Sequence, residues 1–405
     1  MIGGAWEHPA LARIGGKLRW HLQRMPERVV ESGVPPAWLG YRWIEKETVA
    51  GYFARRHAEG RGAAAGVYET VHPETVAANP LPCNVATRDE LPAERGWWGY
   101  SFHDVPERTS DETFIATLPD CRLVFHVESL KNNFYPAILN QDDRALSLRE
   151  VAFRPGHGQA LRASGKGIRV GKATWILERV YHNHSHWLTA HLPKLCLLKS
   201  RHALDGLILP RRRNPVIDAS LRMLGLDPEE FPTFDPDFPL EVEELTLLGT
   251  DRFRPELLQP VRSALAVPSP VPPWRRVFIS RARSRGRRLV NEDDIWPVLR
   301  KAGFEQVFME ELSFEDQVRL MGETAVLLAP HGAGLTNMMF CPPGTHIVEI
   351  ADLGFPNPNF YALACAMGRR YWLVAGEALG DVDPLEKDLR VGMEAIGEVL
   401  IRIGT

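Results

Sequence analysis

AVLLAPHGAGLTNMMFCPPGTHIVEI, residues 325–350, is the stretch whose reading decides the fold. AVLLAP reads as a buried apolar strand that delivers the chain into His331-Gly332-Ala333-Gly334, and Leu335-Thr336-Asn337 then opens a short helix. The two glycines let backbone N–H groups approach a ligand closely, and a helix N-terminus adds partial positive charge, so the spacing suits an anion such as a diphosphate. An ordinary Gly-rich turn with a capping histidine is the alternative. HIVEI (346–350) reads as the next strand, and period-2 alternation sets Ile347 and Glu349 on one face against Val348 and Ile350 on the other. Glu349 is then a carboxylate in an apolar strand and needs a partner if buried, either ribose hydroxyls or an arginine.

The same rhythm extends outward. RVFIS (276–280), a helix within 291–303, EQVFM (305–309), a helix from Phe314, a helix across 358–367 and YWLVA (371–375) alternate as βαβ units do, which predicts a parallel, Rossmann-like sheet. RRVFISRARSRGRR (275–288) carries seven arginines around the first of these strands. Ligands of such sheets bind beyond the carboxyl ends of strands, and guanidinium matches phosphate geometry, so Arg281, the first arginine after the strand, is the phosphate candidate. A solvated basic face is the alternative.

Before this region the pattern is looser. RLVFHVE (122–128), AILN (137–140), TWILERV (174–180) and LDGLILP (204–210) are strand candidates, and helical periodicity fits Trp187–Leu198. Residues 1–110 show no sustained period. Prolines recur in 227–239 and 268–274, which places a junction between about Leu248 and Trp274 and divides the chain into 1–255, 256–385 and an amphipathic helix over 386–405. YHNHSHWLTAHLPKL (181–195) holds four histidines. Their spacing lacks the carboxylate and cysteine partners of zinc motifs, so no metal is expected; it suits a strand-to-helix turn capped by Asn183 or Ser185, with one or two histidines facing a cleft as potential bases.

With 405 residues, two or three domains are expected. Apolar residues at 44% and charged residues at 24% describe a folded globular chain, and 48 basic against 51 acidic side chains exclude a polycation that binds nucleic acid by charge alone. The five cysteines (83, 121, 196, 341, 365) are far apart, and no apolar run reaches 18 residues, so a reducing cytoplasm is expected. In residues 1–28, Arg13, Lys17, Arg19, Arg24 and Arg28 interleave with Leu11, Ile14, Leu18, Trp20 and Leu22, a pattern compatible with peripheral contact to an anionic membrane or with a helix packed on the protein.

The run Ser280-Arg281, Arg288, Asn291-Glu292, then Leu312-Ser313-Phe314 with Gln317, then Pro330 through Asn337 with Phe340, Pro342, Pro343, Gly344 and Glu349, resembles the family 61 glycosyltransferases, as do Asn183, His186-Trp187-Leu188 and Pro193. The resemblance covers roughly residues 120–375. It implies a GT-B architecture, two Rossmann-like domains with parallel sheets facing a cleft. It further implies an inverting, metal-independent transferase using donors such as UDP-N-acetylglucosamine or UDP-xylose on a glycan or lipid-linked acceptor, with no cofactor and, in bacterial relatives, a place in capsule or lipopolysaccharide assembly. Arg281, Arg288, Asn291, His331, Gly332, Ala333, Gly334, Asn337 and Glu349 are then the expected donor contacts. His186 is the first candidate for the acceptor base, followed by His184 and Glu128. The two D-x-D sequences, Asp235/Asp237 and Asp381/Asp383, lie in proline-flanked connections rather than at a strand end. A sugar-nucleotide epimerase and a non-catalytic nucleic-acid-binding protein are the rival readings.

Overall fold

The computed structural model describes residues 44–128, 133–154, 156–158, 161, 167–267 and 271–404, together with Val34 and Trp38. The basic amphipathic stretch at 1–28 lies outside the described residues.

A seven-stranded sheet carries the first half: β1 (Lys46–Thr48), β2 (Val67–His72), β3 (Thr113–Glu128), β4 (Asn133–Leu139), β5 (Ala145–Ser147), β6 (Ile168–Trp175) and β7 (Leu240–Gly249). The strands run in the order β1-β5-β4-β3-β7-β6, with β2 also paired to β3. Only β1–β5 and β6–β7 are parallel; β3 is antiparallel to β2, β4 and β7. This corrects the expectation of a parallel Rossmann-like sheet here. Glu128 and Asn133 face each other in the ladder, and the four residues between them are too few for a crossover helix, so a hairpin is the available connection. Two further readings shift. The ladder at TWILERV ends at Trp175 and begins upstream at Ile168, and in 204–210 only Leu209–Pro210 is a strand.

The second sheet comprises β8 (Arg275–Ile279), β9 (Phe304–Val307), β10 (Thr324–Pro330), β11 (His346–Asp352), β12 (Arg370–Leu379) and β13 (Asp388–Val391) in the order β9-β8-β10-β11-β12-β13. Every pair is parallel except β12–β13. From β8 the chain goes to one side to make β9, then to the other to make β10. That reversal opens a crevice beyond the carboxyl ends of β8 and β10, where ligands of open α/β sheets bind. The residues delivered there are Ser280–Arg288 and His331–Gly334.

The helices are α1 (Val49–Ala58), α2 (Leu192–Ser200), α3 (Pro215–Met223), α4 (Pro255–Leu265), α5 (Glu292–Lys301), α6 (Phe314–Gly322), α7 (Asn359–Ala366) and α8 (Met393–Ile403). The expected helix over 386–405 starts only at Met393, because Leu389 belongs to β13, whose pairing with β12 holds that segment extended. One apolar cluster runs through both halves and includes Trp175, Trp187, Leu258, Ile279, Phe314, Leu335 and Ile347. Val348 and Ile350 belong to a second cluster on the opposite sheet face, as alternation along HIVEI requires. Residues 83–84 also dock on the C-terminal sheet: Cys83 N donates to Tyr371 O at 2.7 Å, and Asn84 Oδ1 accepts from Leu373 N at 3.0 Å.

Candidate active site

Of the seven arginines around β8, the structure turns two toward the crevice. Arg275 pairs with Glu305 and Glu323, Arg276 donates to Ala302 O, and Arg283 pairs with Glu311. Arg288, an expected donor contact, instead grips Asp388 at 2.6 Å on the exposed surface. Asn291 exchanges hydrogen bonds with the Val391 backbone at 2.8 and 3.2 Å, so it pins β13 rather than facing a ligand. The edge strand β13, unread in the sequence, supplies the partners of both side chains.

Arg281 folds back on its own loop, donating through Nε to Arg287 O at 3.1 Å and through Nη2 to Gly286 O at 2.9 Å. Its remaining nitrogen lies against Gly332, where an added Cβ would stand 2.2 Å from Nη1. Gly332 has extended backbone (φ 179°), so space, not φ, demands the glycine. Arg287 adopts φ 57°, and its buried Nε has no hydrogen-bond partner among the described residues. Burial and the neighbouring Arg287 pull Arg281 down to about 10, and burial likewise lowers Arg287. Among the described residues neither forms an ion pair with a carboxylate. Two half-buried cations without a partnered anion make a site that favours an anionic ligand.

His331 and Glu349 form a buried relay instead of two ligand contacts. His331 Nδ1 bonds Glu349 Oε1, and Tyr371 O–H donates to Glu349 Oε2 at 2.6 Å. Asn357 Nδ2 meets His331 Nε2 at 3.1 Å while Asn357 Oδ1 accepts from Asn359 N, so both ring nitrogens of His331 are engaged. Glu349 is fully buried, and His331 and Tyr371 take its two oxygens. Burial and the Glu349 charge hold the Tyr371 phenol well above its usual range, so it stays protonated. Asn337 is also fully buried: its amide donates to Gln317 Oε1 at 3.1 Å and its carbonyl meets His184 Nε2 at 3.0 Å. The expected donor contact Asn337 and the expected base His184 thus tie the two halves together. Ala333 and Gly334, which open the 3-10 helix Ala333–Phe340, remain partly exposed beside Arg281 and Gly332.

The crevice beside this relay is lined by Arg287, His331, Asp352, Phe355, Asn357 and Lys387. Trp97 meets Phe355 edge-on, with ring centroids 5.0 Å apart. Arg287, Asp352 and Asn357 were missed from sequence. Asp352 had a signal, since it lies two residues past HIVEI on the same strand; Arg287 was one of seven similar arginines and had none.

Asn183 caps the histidine turn, accepting from Ser185 N at 2.9 Å and His186 N at 3.3 Å. His191 accepts from Glu178 N through Nε2 and donates to His186 O, each at 3.0 Å. His186 differs: its Nδ1 is buried and unpartnered. Burial, aided by Arg252, His191, Arg149 and Arg179, holds its pKa well below the usual imidazole range, so it is neutral at neutral pH. Glu128 accepts from Asn133 at 2.9 Å, and among the described residues no hydrogen bond or ion pair joins it to the histidines. Asp235 is held by Arg211 and the Asp237 amide, and Asp383 accepts from Leu385 N. Among the described residues no group of three or more His, Cys, Asp or Glu is placed to hold a metal ion, and no helix is long and apolar enough to cross a membrane.

The family described as Glycosyltransferase 61 matches residues 184–348. A β-1,2-xylosyltransferase of Arabidopsis thaliana is 30% identical over 113 residues, 24% of this chain and 21% of the relative. An EGF domain-specific O-linked N-acetylglucosamine transferase of Drosophila melanogaster is 34% identical over 107 residues, 25% of this chain and 20% of the relative. These matches span about a fifth of the relatives' length. The iron-containing dodecameric glycosyltransferase TibC of enterotoxigenic E. coli aligns over 75% of this chain and 89% of its own, at 11% identity and a TM-score of 0.29. Residues 184–348, which carry the histidine turn, the arginine loop and the HGAG turn, are thus similar to the glycosyltransferase 61 family.

Proposed function

We propose that the protein is an inverting glycosyltransferase that moves a sugar from a nucleotide diphosphate, of the UDP-sugar type, to a hydroxyl of a glycan or glycolipid acceptor. The observation that carries the reading is the packing of Arg281 against Gly332, with Arg287 lining the crevice beside His331, at the reversal point of a parallel sheet. The donor lies in that crevice with its diphosphate against the two guanidiniums and the Ala333 and Gly334 amides. Asp352, at the end of β11, takes the ribose role first expected of Glu349, and Phe355 supplies an aromatic wall. The His331–Glu349–Tyr371 relay fixes the crevice wall.

In the transfer step a base removes the acceptor proton, the hydroxyl oxygen attacks the anomeric carbon, and the bond from that carbon to the diphosphate breaks. The charge arriving on the leaving phosphate meets two preorganised arginines, which is the task a metal ion performs in other transferases, so no metal is required. His186, neutral and with an unpartnered ring nitrogen, is in the protonation state a base needs. Thermal-shift measurement with UDP-, GDP-, CMP- and dTDP-sugars in EDTA tests the reading, since a ligand of the native state raises stability with its concentration over Kd. Stabilisation by one nucleotide class, followed by transfer with inverted anomeric configuration, is the expected result. Turnover of nucleotide-sugar without acceptor would favour an epimerase instead.

A further inference from the structure

The N-terminal half holds a second cationic centre that donor binding does not use. Arg252, in the loop after β7, is 7% exposed. It donates through Nε to Thr189 Oγ1 at 3.1 Å and through Nη2 to Thr189 Oγ1 at 2.8 Å, with a longer approach to Ser185 Oγ at 3.4 Å. Both partners are neutral hydroxyls on the histidine turn. Among the described residues no carboxylate lies within ion-pair distance of Arg252, although a buried charge ordinarily has an opposite charge beside it.

Each surrounding acid is paired with a cation other than Arg252. Asp251 lies 2.6 Å from Arg108, Glu150 lies 3.2 Å from Arg179, and Glu178 lies 2.5 Å from Lys194. Arg149 reaches Asp251 Oδ1, the oxygen that accepts from Arg108, only at 3.8 Å. Arg252 and Arg149 are therefore in excess over the carboxylates, and each acts electrostatically on the other. Arg149 and Arg179 are about one-third exposed, at 31% and 35%, so the centre opens to solvent on that side. The buried and unpartnered Nδ1 of His186 belongs to the same centre.

We infer that Arg252, Arg149 and His186 form an anion site that takes a carboxylate or phosphate carried by the acceptor, beside the proposed base. That the anion belongs to an acceptor rests on the transferase reading; that the centre binds an anion does not. An acidic acceptor group there would neutralise the surplus charge and hold the acceptor next to His186. The fork of Arg252 is fixed in advance by Thr189, so little side-chain freedom is lost on binding.

Thermal-shift titrations with inorganic phosphate, glucuronate and glucose, at constant ionic strength, test this on the wild-type chain and on Arg252→Gln, Arg149→Gln and Arg281→Ala. Phosphate or glucuronate, but not glucose, stabilises the wild type, and whichever binds more tightly identifies the acceptor's charged group. The apparent Kd for that anion rises at least tenfold in Arg252→Gln and about threefold or more in Arg149→Gln, and it persists in Arg281→Ala. Should Arg252→Gln fail to fold, the partly exposed Arg149→Gln still decides the matter. Anion binding unchanged in the Arg149 and Arg252 variants, lost only in Arg281→Ala, or no stronger than that of glucose, overturns the inference. UDP affinity measured in the same proteins reports separately on the donor reading: it falls in Arg281→Ala and holds in Arg252→Gln.

Discussion

Replacing Gly332 by alanine probes the link between the HGAG turn and the arginine loop. The new Cβ would lie 2.2 Å from Arg281 Nη1, 2.9 Å from Cζ and 3.1 Å from Cδ, while the backbone at φ 179° accepts alanine without strain. The guanidinium therefore has to leave its place, and with it go the bonds to Arg287 O and Gly286 O. Hydrogen bonds from a charged donor contribute about 1.5–3 kcal/mol each, and water recovers part of that for a half-buried group, so the expected stability loss is roughly 2–4 kcal/mol. The displaced fork also leaves the proposed diphosphate site, and the UDP Kd should rise about 10- to 100-fold, equivalent to roughly 1.4–2.8 kcal/mol. Urea unfolding and calorimetric titration read the two effects. A double-mutant cycle isolates the cause: in an Arg281→Ala background, Gly332→Ala should cost less than about 0.5 kcal/mol, because nothing remains to be displaced. Full cost in that background, or unchanged UDP binding by the single variant, would refute the reasoning.

Further outcomes follow from the same geometry. Arg288→Ala should leave UDP affinity within about twofold, since its fork is engaged by Asp388, whereas Arg281→Ala should weaken it by about tenfold or more; equal effects would reinstate Arg288 as a ligand contact. Transfer should proceed in EDTA, and loss of activity restored by Mn²⁺ or Mg²⁺ would contradict two arginines as the diphosphate clamp. His184→Ala should destabilise the chain by loosening the tie to Asn337, while His186→Ala should lower turnover by about 10²–10⁴-fold with UDP affinity intact. Acid should destabilise the fold early. Burial holds His157 at about 4 and His191 at about 3, below the usual 6.5, so as pH falls the unfolded chain takes up these protons first. That stability is present above pH 6.5 and declines below it by about 1.4 kcal/mol per pH unit for each histidine. Glu178, held at about 2 against an ordinary 4.5, adds its loss only below pH 4.5. Urea unfolding at about pH 7.5 and 5.5 should differ by more than 2 kcal/mol; a flat profile would contradict the burial of these rings.

The C-terminal sheet was legible because parallel strands buried on both faces read as continuous apolar runs, and AVLLAP and HIVEI are such runs. The N-terminal sheet was not. In β6 the sequence IRVGKA alternates with exposed polar positions, and β7 carries Glu241, Glu243 and Glu244 among its apolar residues, so neither strand stands out. Without β7 in view, β3 and β4 had no central partner and their antiparallel pairing passed for parallel. At the site, Arg281 and the glycines were readable because a strand end fixes where they emerge. Arg288, Asn291 and Glu349 were not, because their partners Asp388, Val391, His331 and Tyr371 come from strands whose pairing no local pattern records. The cationic excess around Arg252 was invisible for the same reason: its members come from separate segments that only the folded sheet brings together.

The central claim is that Arg281 and Arg287 hold the donor's diphosphate without a metal. Calorimetric titration of UDP in EDTA, into the wild-type chain and into an Arg281→Ala, Arg287→Ala double variant that its urea transition shows to be folded under the assay conditions, tests it most directly. The wild type should bind saturably and the variant at least a hundredfold more weakly, the effect of losing two charge-assisted contacts. Equal affinity in both proteins, or no binding until a divalent metal is added, would contradict it.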